Sequence, residues 1–223
     1  MFTKSKRAAI VGTALFTTAA LGGAGILTAA NADQTTVTSS SGPILDGAVV
    51  RGQLNPLNNS GAVGNARVES KGRHIHVKVR ARRLAPNLPH AQHIHFGAKA
   101  RHECPTIADD KNGDFRLTTT DGAPAYGPIR VSLTTRGDTS PASGLAVKRF
   151  PTASGGNFSY ERQTRTGKRV ARAIRRGEAV VVVHGVDYND NGKYDFRSAG
   201  RSELDKSLPA EATDPATCGV LHR

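Results

Sequence analysis

Apolar and polar residues alternate with a period of two along much of the chain. In ARVESKGRHIHVKVRARRL, residues 66–84, Ile75, Val77 and Val79 share one face, while His74, His76 and Lys78 share the other. Such alternation marks half-buried strands, and Ser70-Lys71-Gly72 supplies a turn between two of them. DFRLTTT (114–120) and IRVSLTT (129–135) read as two further strands, separated by the turn-rich DGAPAYGP. EAVVVVHG (178–185) is an apolar β-branched run bounded by Gly177 and Gly185, the pattern of a strand buried on both faces. Only KRVARAIRRG (168–177) has a helical period, with Val170, Ala171 and Ile174 on one side and arginines on a solvated face. Short strands, Gly/Pro turns and a single short helix predict an all-β protein, an antiparallel sandwich or barrel.

The first residues break this pattern. Lys4, Lys6 and Arg7 precede an apolar stretch, and Ala30-Asn31-Ala32 closes it with the small-x-small sequence read by signal peptidase. Residues 1–32 are therefore expected to be a signal peptide cleaved before Asp33, with no transmembrane helix left after cleavage. Residues 33–43 read as a polar, flexible leader, and 44–223 as a single domain large enough for a hydrophobic core. The expected address is extracellular or the cell envelope. Two cysteines in an exported chain of 223 residues most simply form one disulfide between Cys104 and Cys218, two free thiols being the alternative.

Charge adds a partner class. The formal net charge is +13, and it falls to +10 when the three basic residues of the signal leave. An anionic cell-wall polymer fits such a surface, with solubility alone as the competing reading of the charge. Specific nucleic acid does not, because the chain carries no recognition motif and no Trp.

Histidine supplies the candidate chemistry. His93 and His95 stand at i and i+2, so in a strand both leave the same face. A third ligand, His184, ends the buried valine run, where a polar side chain needs a partner or a metal. Three imidazoles with an open position suit copper or zinc, and also iron or nickel. His74 and His76 form a second such pair, expected to face solvent.

These residues resemble a family. HAQHIHFG, a cysteine nine residues beyond His95, VVVVHG and a late CGVL occur in the order of the landmarks of Cu/Zn superoxide dismutases. That family carries the segment His-Gly-Phe-His-Val-His, a disulfide cysteine at the same offset, a Val-Val-His copper ligand and a terminal Cys-Gly-Val-Ile. LNPLNNSGAVGNARV followed by HAQHIH is also similar to secreted β-sandwich proteins of the CHRD-domain group. The resemblance spans roughly residues 85–221 and implies a Greek-key β-sandwich or barrel, copper on His93, His95 and His184, and a Cys104–Cys218 disulfide. It also implies small oxygen species as substrates, with any enzyme activity copper-dependent and dismutase-like. Two family positions differ. The bridging histidine is replaced by Asp110 and the superoxide-guiding arginine by Pro215, and no histidine lies between His102 and His184. The zinc site is therefore expected to be lost. His102 is a spare candidate ligand, and His90 is expected to support the fold.

A second candidate ion site follows His184. Asp187, Asn189, Asn191, Lys193 and Asp195 take positions 1, 3, 5, 7 and 9 of a calcium loop, with Gly192 at the sixth. Position twelve, which should be acidic, is Ser198; Glu203 lies further on. A surface turn is the competing reading, and DDKNGD (109–114) is expected to be a hairpin turn. Two function classes thus remain: a copper-binding, dismutase-like protein with residual superoxide chemistry, and a non-catalytic envelope or matrix module whose histidines are structural.

Overall fold

A computed structural model describes residues 47–223; the signal segment and the leader expected at residues 1–43 lie outside the described residues. Eight strands carry the fold: β1 (Gly47–Pro56), β2 (Val63–Lys71), β3 (His74–Arg82), β4 (Gln92–His95), β5 (Ile129–Ser132), β6 (Phe158–Arg165), β7 (Val180–His184) and β8 (Pro215–Val220). All pairings are antiparallel, in one curled sheet of order β5-β4-β7-β8-β1-β2-β3-β6. The all-β expectation holds. Strands β1 to β3 are successive hairpin neighbours, whereas the connections leaving β3, β5 and β6 each skip to a distant strand, as in Greek-key folds.

The two halves of the sheet, β1-β2-β3-β6 and β5-β4-β7-β8, meet where Asn55 and Pro56 pair with Cys218 and Thr217. The main core includes Val50, Leu54, Val68, Val77 and Val79 from the first half and Ile94, Val131, Val181 and Val183 from the second. Val180 and Val182 point the other way and pack with Tyr126 and Cys218. Strand β7 is therefore buried on both faces, as its valines require, and each such side chain contributes about 1.5–3 kcal/mol relative to exposure.

Residues 114–120 do not form the expected strand, and the break after them is helix α1 (Thr119–Tyr126). Thr118 Oγ1 accepts the Asp121 N–H at 3.2 Å, while the Asp121 carboxylate accepts the Thr118 N–H at 3.0 Å. This reciprocal cap satisfies two helix-start donors and overrides the β propensity of three threonines. Helix α2 (Lys168–Arg176) lies where the helical period placed it, burying Val170, Ala171, Ala173 and Ile174. Asp110 accepts the N–H groups of Gly113 and Phe115, so DDKNGD is a turn, although no strand follows it. The Cys104–Cys218 disulfide ties the loop after β4 to β8. Among the described residues, no helix is long and apolar enough to cross a membrane.

Candidate metal centre

The site begins with the alternation of β4. Ile94 enters the core, so His93 and His95 leave the opposite face. Strand β7 runs beside it with Val182 against His93 and Val180 against His95, and the same parity brings His184 to that face. Register slips at two of the three positions, between Ile94 and His95 against β5 and between Val183 and His184 against β8. Such bulges re-aim side chains out of a regular pleat. Ring centroids lie 5.1 Å apart for His93–His184, 5.6 Å for His93–His95 and 6.2 Å for His95–His184. One nitrogen of each ring lies within 4.8 Å of the other two. Gly185, at φ 109°, lets the chain turn away, since a Cβ there would sit 2.1 Å from Tyr194 Oη.

Each ring is clamped by a main-chain carbonyl. His93 Nε2 donates to Gly144 O at 3.0 Å, His95 Nδ1 to Gly127 O at 2.8 Å, and His184 Nδ1 to Thr213 O at 2.7 Å. A carbonyl can only accept, so these nitrogens carry the protons and the opposite ones present lone pairs. The opposite atoms, His93 Nδ1, His95 Nε2 and His184 Nε2, are buried without a hydrogen-bond partner. Burial, and for His93 and His95 the neighbouring rings, holds all three neutral: His95 is lowered to about 3, His184 to about 4, and His93 well below 6.5. Three unmatched acceptors in a protein interior are costly. One nitrogen of each ring comes close enough to the others for a single metal ion, with the N–H···O=C contacts acting as the outer support that fixes ligand orientation.

The surroundings are largely apolar. Phe150 stands edge-on to His93, and Tyr126 lies 4.5 Å from the His95 ring centre. Over His93 and His184, Ile129, Leu145, Val147, Leu204 and Ala212 enclose about 10 Å³, room for one water-sized occupant. Asp138 holds part of this roof, its Oδ2 accepting from the Ser140 N–H and from the hydroxyls of Ser140 and Ser143.

The remaining singled-out residues lie elsewhere. His90 is fully buried between the carbonyls of His184 and Ala85, a structural role. His102 donates to Gly97 O and stacks on Phe96, outside the histidine group. His74 is exposed, while His76 is half-buried and pairs with Glu161 at 2.7 Å, so the second pair is only partly solvent-facing. Asp110 is engaged in its own turn, and Pro215 opens β8. In the loop after His184, Asp187 accepts the N–H groups of Asn191 and Gly192, Asn189 also accepts from Asn191, and Asn191 accepts from Lys193. Asp195 accepts from Asn191 and Arg197. Those hydrogen bonds close the loop on itself. Sequence reasoning missed the carbonyls of Gly127, Gly144 and Thr213, because a main-chain oxygen leaves no mark on residue identity. It also missed Asp138.

Together these features define a β-rich, disulfide-bonded protein with a buried three-histidine group that could hold a metal ion. No protein-family model matches the chain, and comparison with curated proteins finds no significant match.

Proposed function

We propose that this chain is an exported, dismutase-like β-barrel protein that holds one copper ion on His93, His95 and His184. The observation that carries this reading is the set of three buried imidazole nitrogens without partners, each opposite a carbonyl-bound N–H. Among the described residues the group contains no carboxylate or thiolate. Imidazole donors suit copper, zinc, iron and nickel, and copper stands highest in the divalent affinity order. Copper also has a monovalent state, and the idealised cost of burying a charge scales with its square, about a quarter of a dication's. The dismutase resemblance supports the same trio, and the disulfide it implied is present.

Copper bound here would supply one-electron redox chemistry. The protein's part is to fix three tautomers through the carbonyl clamps, leave the opposite ring nitrogens unprotonated and cover the site with largely apolar side chains. That roof, with Asp110 and Pro215 at the two altered family positions, favours holding the ion over rapid turnover of superoxide.

Metal analysis and copper electron paramagnetic resonance on the exported protein, loaded with copper, test this. One copper per chain is expected in the wild type, with loss in His93→Ala and His184→Ala. Superoxide consumption is expected near the protein-free background. Substoichiometric metal in the loaded wild type, or binding that survives both substitutions, rejects the proposal.

A further inference from the structure

The outward face of β1, β2, β3 and β6 carries a concentration of positive charge that the fold itself does not need. Alternation sends Arg51, Arg67, Lys71, Lys78, Arg80, Arg82 and Arg165 outward, away from the core. Register then stacks like charges directly across strands: Arg51 faces Arg67, Arg67 faces Lys78, and His74 lies between Lys71 and Arg165. Directly opposed like charges destabilise a sheet. Only two outward carboxylates answer them, Glu69 paired with Arg67 and Glu161 paired with Lys78 and His76. Among the described residues, Arg51, Lys71, Arg80, Arg82 and Arg165 make no ion pair.

Two shallow grooves follow one another along this face. Lys71, His74, His76 and Arg165 line the first, and Arg51, Arg67, Arg80 and Arg82 the second. Along β3 the track runs from His74 to Arg82, about 26 Å.

We infer that this face binds a linear acidic polysaccharide. A flexible chain of regularly spaced anions can cross the strands and neutralise successive rows. Arginine predominates over lysine, which favours bidentate contact with sulfate or phosphate oxygens. The outward positions of the four strands carry no Phe, Tyr or Trp, so nucleic-acid bases would find only the imidazoles of His74 and His76 to stack on. Val49 and Val63 are the apolar residues among them, too little for insertion into a lipid surface. The inference is independent of the metal reading.

The test is titration of the mature chain with a heparin dodecasaccharide over a range of salt, beside a single-stranded oligonucleotide of equal charge and phosphatidylglycerol vesicles. The triple variant Arg51→Glu/Arg80→Glu/Arg165→Glu is expected to bind heparin at least tenfold more weakly. Its log affinity against log salt should be shallower by about 2, as for three lost ionic contacts. Lys111→Glu/Arg136→Glu/Lys206→Glu, with the same net charge change on other exposed positions, should stay within twofold of wild type. Equal weakening by both triples, or tighter wild-type binding to the oligonucleotide or the vesicles, overturns the inference.

Discussion

His95 and its two companions trade proton affinity for lone pairs. Burial, then neighbouring charge, lowers His95 to about 3 and His184 to about 4, and His93 also falls well below 6.5. Below pH 6.5 the unfolded chain takes up protons that the folded metal-free protein refuses. The stability these residues contribute is therefore present above 6.5 and is lost as pH falls through the folded values. His95 alone accounts for roughly 3 kcal/mol of that loss by pH 4. Asp214 acts in the opposite sense: burial raises it to about 6, so its contribution is full below 3.8 and lost as pH rises through 6. The melting temperature of the metal-free protein should fall steeply from pH 6.5 to 4, and less steeply in His95→Gln; a flat wild-type profile would contradict this. Asp138 matters through what it holds. Hydrogen bonds from Ser143 and Ser140 lower it to about 2, and it braces the segment that carries the Gly144 carbonyl. Asp138→Ala should speed copper loss to a competing chelator about tenfold, in line with other outer-support mutations; an unchanged rate would remove it from that role.

Within the elements, the two faces of β4 separate the core from the candidate metal site. Ile94→Val should cost about 1 kcal/mol in denaturant unfolding and leave copper affinity unchanged, because Ile94 is on the core side. Thr118→Ala removes the α1 cap and should cost a similar amount. The sequence exposed elements whose local pattern agreed with their environment: the β2–β3 hairpin, β7 and α2. It hid α1, whose TTDGAPAY carries the glycine and proline that usually mark a break. The strands β1, β6 and β8 also went unread. Strand β8 opens with Pro215 and contains Gly219, while β1 contains Gly52, whose Cβ would meet Val220 O at 2.7 Å. Those glycines let two backbones approach where the halves of the sheet join, so there the pattern serves a long-range contact.

Across the whole molecule, the candidate site depends on segments far apart in the chain. The spacing of His93 and His95 and the valines before His184 made the histidine trio readable in advance. The roof was not readable, because Ile129, the Leu145–Val147 segment and Leu204 come from three separate stretches whose meeting depends on topology. The basic face was equally hidden: composition gives the excess charge, and only strand register shows where it collects. The Cys104–Cys218 bridge spans 114 residues and includes Gly127, the clamp of His95, within its loop. Cys104→Ser/Cys218→Ser should lower stability by about 4–5 kcal/mol on chain entropy and speed copper loss; unchanged unfolding would show the bridge to be dispensable. The central claim, one copper on three clamped imidazoles, is tested most directly by X-ray absorption at the copper edge of the copper-loaded wild type. The account predicts one copper per chain with three imidazole nitrogens in its coordination shell. Copper surrounded mainly by oxygen, or fewer than three imidazoles per ion, would contradict it.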